Sequence, residues 1–163
     1  MVARCAQWHC DKHVVKMILE TAQLLYTAHW VLIEDPDFQE APFRKNKNER
    51  GYKSIKNIMH PCAMWVRESL DHYMWLCKLG MHLCSEYQYR FGLNKKHACQ
   101  EHIEWLVAHP PIGLLSRGWK QPPQAMPEEY RHESSIEAYK AYYLGPKRRL
   151  LTYTKRDVPY WVM

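Results

Sequence analysis

The chain has 163 residues, 47% of them hydrophobic and 25% charged, which excludes a disordered polymer and suits one domain with a buried core. Its net charge of +6, with ten His counted as neutral, favours polyanionic partners such as nucleic acid. No apolar run approaches the ~20 residues that cross a bilayer, which excludes a membrane span.

In chain order, the first helix is predicted to start at Cys10 or Asp11 and to run to about Ile33. Val14, Ile18, Ala22 and Leu25, with Val15 and Leu19, recur at helical spacing and mark its buried face. His13, Lys16, Glu20, Gln23 and Thr27 mark its polar face. Glu34-Asp35-Pro36-Asp37 stops it, because Pro disfavours helix at the residue before it. Residues 35–59 read as a basic, mobile-looking loop with Arg44, Lys45, Lys47, Arg50, Lys53 and Lys56. Pro61 sits where a helix begins, and the apolar phase then runs to about Arg90 with only Gly80 as a weak point. This predicts one long central helix over about 61–90, apolar round much of its girth, with Arg67, Asp71, Lys78, His82 and Tyr89 on its polar stripe.

Phe91-Gly92-Leu93-Asn94 reads as a C-cap and turn, and a third helix is predicted from about Lys96 to Val107. Residues 110–128 are Pro-rich and predict an ordered loop over the core. Ser134 or Ser135 caps a last helix through Tyr143, and residues 147–163 form a basic, aromatic C-terminal tail. No alternating strand pattern occurs. The predicted class is all-α: a compact single domain over 1–163 around the long helix, with three or so further helices and long ordered loops.

The six Cys (Cys5, Cys10, Cys62, Cys77, Cys84, Cys99) include no C-x-x-C pair, so a zinc ribbon or thioredoxin-like motif is absent. The polar start through Lys16 does not read as a signal peptide. The expected setting is therefore reducing and intracellular, with free thiols, and nuclear in a eukaryotic host.

Several constellations carry chemistry. His13, Lys16 and Glu20 fall on one helix face, where an imidazole, an amine and a carboxylate suit proton transfer or nucleophilic attack; the plainer alternative is a solvated face with an i,i+4 ion pair. His60-Pro61 at a helix start suits phosphate donation or a general acid, or else a capping histidine. Arg67 suits a bidentate phosphate fork, or an i,i+4 pair with Asp71. Tyr89, Arg90, Lys96 and His97 mix aromatic and basic groups that suit gripping a strand. Lys147, Arg148, Lys155 and Arg156, with Tyr153, Tyr160 and Trp161, suit phosphate tracking by the tail. His9, Cys10 and His13 cluster as zinc ligands would, without matching a zinc signature.

Two pieces together resemble the pyrimidine-dimer DNA glycosylases of the phage endonuclease V type. The first is Asp11-x-His13 followed by Glu20, which matches that family's Asp-x-His start and its catalytic Glu seven residues after the His. The second is Gly51-Tyr52, then His60-Pro61, then a long helix ending Glu86-Tyr87-x-Tyr89-Arg90-Phe91-Gly92. Tyr142-Tyr143-Leu144-Gly145-Pro146-Lys147 also resembles the family's Tyr-Tyr-Gly-Lys tail. The overall pattern is similar to that of proteins of large DNA phages and viruses. The resemblance implies a compact all-α repair enzyme that flips bases from duplex DNA. Family members attack the sugar C1′ with an N-terminal α-amine; Met1-Val2 here lies nine residues before Asp11, and Lys12 and Lys16 are alternative amines.

The expected function is therefore base excision: a DNA glycosylase, with or without lyase activity at abasic sites. Glu20, His13 and His60 are the expected catalytic set. Lys12, Lys16, Arg67, Tyr89, Arg90, Lys96, His97, Lys147, Arg148, Lys155 and Arg156 are the expected DNA contacts. The reading calls for no cofactor and no metal, a double-stranded DNA partner, no membrane, and a monomer. Its alternatives are a non-catalytic nucleic-acid-binding helical module using residues 44–56 and 147–156, and a metal-dependent hydrolase using His9, Cys10, His13 and His60.

Overall fold

The computed structural model describes residues 1–45 and 47–163. Its helices are α1 (Val2–Trp8), α2 (Asp11–Leu32), α3 (Pro61–Glu68), α4 (Leu70–Phe91), α5 (Gln100–Ala108) and α6 (Ser135–Leu144), with two short 3-10 turns. Among the described residues the only extended pairing is a lone bridge between Phe43 and Arg50, so the all-α class holds. Among the described residues no helix is long and apolar enough to cross a membrane.

α2 and α4 form the central pair, because both carry apolar stripes of helical period. Val14, Ile18, Ala22 and Leu25 from α2 meet Tyr73, Leu76, Cys77 and Leu83 from α4 in one buried cluster, which α5 completes with Ile103 and Leu106. Gly80 of α4 faces both α2 and α5. A β-carbon there would lie 3.0 Å from both Thr21 and Ile103, so the residue lets α4 seat against its neighbours.

The predicted long helix is two helices. Ser69 adopts an extended conformation (φ −151°, ψ 141°) and its hydroxyl accepts from the Asp71 amide, capping α4. The Leu70 amide is taken by the Leu115 carbonyl at 2.9 Å, from the loop that follows α5. The break is thus made by a docked loop, while the apolar phase continues across it.

α1 has no counterpart among the predicted elements, and its boundary with α2 is also set at long range. Its last carbonyls need donors, and Arg90 of α4 supplies them: Nη2 to Gln7 O at 2.9 Å and Nη1 to His9 O at 2.7 Å. α5 starts later than predicted because His97 turns the chain first, its Nδ1 accepting from the Cys99 amide.

The expected mobile-looking loop is pinned to α2 around residues 52–55. Trp30 Nε1 donates to Tyr52 O at 2.8 Å, and the Ile55 amide donates to Thr27 Oγ1 at 3.1 Å. Thr27, expected on the polar face, is buried for this reason. Gly51 holds φ +66° with the Tyr26 ring 2.9 Å from where a β-carbon would stand, which accounts for a glycine before Tyr52. Residues 147–163 likewise form an ordered strap instead of a free tail. Tyr153 Oη donates to Trp8 O at 2.8 Å, and Trp161 packs between Trp8 and Tyr143.

Candidate functional site

Burying Val14, Ile18 and Ala22 against α4 turns His13, Lys16 and Glu20 outward on α2. Lys16 Nζ and Glu20 Oε1 lie 3.3 Å apart, with side chains 66% and 40% exposed. Lys16 is the only cation within ion-pair distance of Glu20 among the described residues. Seven residues of helix separate Glu20 from His13 by about 10 Å along the axis, so they share a face without touching.

His13 meets α6. Its Nδ1 and the Tyr143 hydroxyl share a hydrogen bond of 2.7 Å, and the rings tilt together at 5.2 Å. Burial, reinforced by the charges of His9, Lys147 and Lys16, lowers its pKa from 6.5 to about 4. His13 is thus a neutral hydrogen-bonding group at pH 7 and carries no charge toward a phosphate. Burial raises the Tyr143 pKa, so that partner stays a neutral phenol.

The N-terminus of α3 closes the third side. His60 is its cap: Nδ1 accepts from the Cys62 amide at 3.1 Å, and Pro61 occupies the first helical position. Burial, then the charge of Glu20, raises the Cys62 thiol, and α3 packs against α2. The structure therefore pairs Glu20 with Lys16, places His13 with Tyr143 two turns away on the same helix face, and uses His60 as a helix cap. Lys12 is exposed at the start of this stripe. Nothing in the local sequence announces Tyr143, which is 130 residues from His13.

The other expected DNA contacts lie elsewhere. Arg90 is 1% exposed and cannot meet a strand. Besides the α1 carbonyls, its guanidinium donates to Glu86 Oε2 at 2.9 Å and Asp11 Oδ1 at 3.2 Å. Glu86 also accepts Arg156 through Nε at 3.1 Å and Nη2 at 2.5 Å, and Arg156 covers the Tyr89 ring at 4.1 Å. Asp11 accepts the Thr154 amide at 2.9 Å and the Thr154 hydroxyl at 2.6 Å. Arg90, Arg156 and the ring face of Tyr89 are thus consumed in a partly sealed ion network. Pairing is what makes such burial tolerable.

His97 is tied to the Val15 carbonyl at 3.2 Å, and burial lowers its pKa. Lys96 faces Glu104 at 3.9 Å. Lys147 Nζ sits 5.4 Å from the Tyr142 ring centre, while Arg148 and Lys155 are exposed. Arg67 lies in the last turn of α3, with only the Met59 sulfur near Nη2 at 3.9 Å; it does not pair with Asp71.

Among the described residues, no group of three His, Cys, Asp or Glu is placed to hold a metal ion. The expected His9/Cys10/His13 cluster is dispersed, because His9 Nδ1 donates to Cys5 O at 2.7 Å while His13 turns to Tyr143. No family model matches the chain, and neither curated proteins nor solved structures include a match to it.

Proposed function

We propose that the protein is a DNA-processing enzyme of the base-excision type, with Glu20 as its catalytic carboxylate. One observation carries the reading: three separate blocks that carry the glycosylase resemblance come together on α2. His13 of the Asp11-x-His13 block touches Tyr143 of the Tyr142–Lys147 block. The helix that begins at His60-Pro61 packs against α2, which carries Glu20.

In this reading the Glu20 carboxylate stabilises positive charge as it develops on the sugar and takes up the proton released by the attacking group. Lys16 fixes the carboxylate. Neutral His13 and Tyr143 offer hydrogen bonds to the displaced nucleotide, and Lys12 and Lys147 offer charge to the flanking phosphates. The departing base is drawn out of the stack, since the sugar C1′ is inaccessible within a duplex.

The test is release of bases from damaged duplex DNA, combined with borohydride trapping on abasic DNA. The reading expects base release that is lost in Glu20→Gln; a trapped adduct adds the lyase step. Full release by Glu20→Gln, or no release from any damaged duplex, overturns it.

A further inference from the structure

The loop after α5 forms a second feature at the far end of α3, away from Glu20. It is held at several points. Leu115 O accepts from the Leu70 amide, the Arg117 amide donates to Ser69 Oγ at 3.0 Å, and Asp71 Oδ2 accepts the Ser116 hydroxyl at 2.6 Å and the Gly118 amide at 3.2 Å. The Lys120 amide donates to Nε2 of buried His72 at 2.9 Å, and Trp65 Nε1 donates to Lys120 O at 3.0 Å. A surface loop tied at so many points is preorganised, which lowers the entropic cost of binding.

Arg117 lies between two hollows. One, of about 260 Å³, is also lined by Arg67 and Leu32. The other, of about 240 Å³, is lined by Glu68, Trp119 and Lys120. Among the described residues neither Arg67 nor Arg117 has an ion-pair partner. Arg67 Nη1 is also sealed from solvent with no acceptor. Arg67 and Arg117 thus keep donors that no carboxylate takes up, and charge-assisted hydrogen bonds from a guanidinium to an oxyanion are strong ones. The acidic groups nearby are engaged: Glu68 with Lys120 at 2.9 Å, and Asp71 with the loop. Trp119 is 49% exposed at the second hollow, buttressed by Trp65 and Trp75 at 5.6 Å each.

We propose that Arg67 and Arg117 form a phosphate-binding site, with Trp119 as an adjoining stacking face for a base. Two guanidiniums on one hollow suit the several oxygens of a phosphate, and a half-exposed indole suits any base. The site stands on its own geometry and is independent of chemistry at Glu20. Leu32, at its edge, is twelve residues beyond Glu20 on α2, about 18 Å along the axis.

The experiment titrates the full chain with inorganic phosphate at constant ionic strength and follows thermal unfolding in wild type, Arg67→Gln and Arg117→Ala. Arg117 is on the exposed loop, so its variant keeps the test valid if Arg67→Gln folds poorly. The expected result is a phosphate-dependent rise in Tm that is lost in each variant and kept in Glu20→Gln. Salt dependence of duplex binding then separates two sources of phosphate. A log–log slope shallower by about 0.9 in the variants assigns a strand phosphate, and an unchanged slope assigns a free phosphate ester. No rise in wild type, or an equal rise in both variants, overturns the site.

Discussion

Two carboxylate regions on neighbouring faces of this protein have opposite characters. Around Asp11 and Glu86, oxygens are matched to donors: Arg90, Arg156, and the amide and hydroxyl of Thr154. The carboxylates join α1, α2, α4 and the C-terminal strap, and nothing is left over for a ligand. Around Glu20 there is a single ammonium at 3.3 Å and an open side chain. A saturated carboxylate serves the fold, whereas an under-saturated one on an exposed stripe keeps lone pairs open. Asp11 opens the very motif that suggested catalysis, yet its work is structural.

The contrast can be broken at its strongest point first. Arg90→Met removes the donor common to Asp11, Glu86 and two carbonyls and leaves carboxylates buried without it. Equilibrium denaturation is expected to show a loss of about 3–5 kcal/mol. A loss below about 1 kcal/mol puts the network outside the account. Next comes acid. The His13 and His29 pKa values are lowered from 6.5 to about 4 by burial, so the unfolded chain takes protons first as pH falls. Their contribution is full above about 6.5 and is lost as pH drops toward about 4. A melting temperature that is flat between pH 7 and pH 4 contradicts this assignment. Thr154→Val then withdraws one hydroxyl from Asp11 and is expected to cost about 1–3 kcal/mol by denaturation. Smallest is Lys16→Ala, expected to change stability by no more than about 0.5 kcal/mol because the pair is exposed.

How much was legible beforehand follows from where each signal lies. α2 is nearly residue for residue as predicted, because its apolar period and the stop at Pro36 are local. The break at Ser69 does have a local cue, a serine two residues before Asp71, but the unbroken apolar phase masks it. Docking of Leu115 and Arg117 decides it from more than forty residues away. α1 and the strap depend on Arg90, whose position near a helix end reads equally as a strand contact or a dipole partner. Of the candidate site, the Lys16–Glu20 pair is visible as an i,i+4 spacing. Tyr143 is not, since only the packing of α6 brings it to His13.

The central claim is that the open carboxylate carries the chemistry and the saturated ones carry the fold. Base release and thermal unfolding measured in parallel on Glu20→Gln and Glu86→Gln test it directly. The account predicts that Glu20→Gln melts with wild type yet loses about 10²–10⁴-fold in release rate, while Glu86→Gln melts well below wild type. Wild-type release by Glu20→Gln contradicts it.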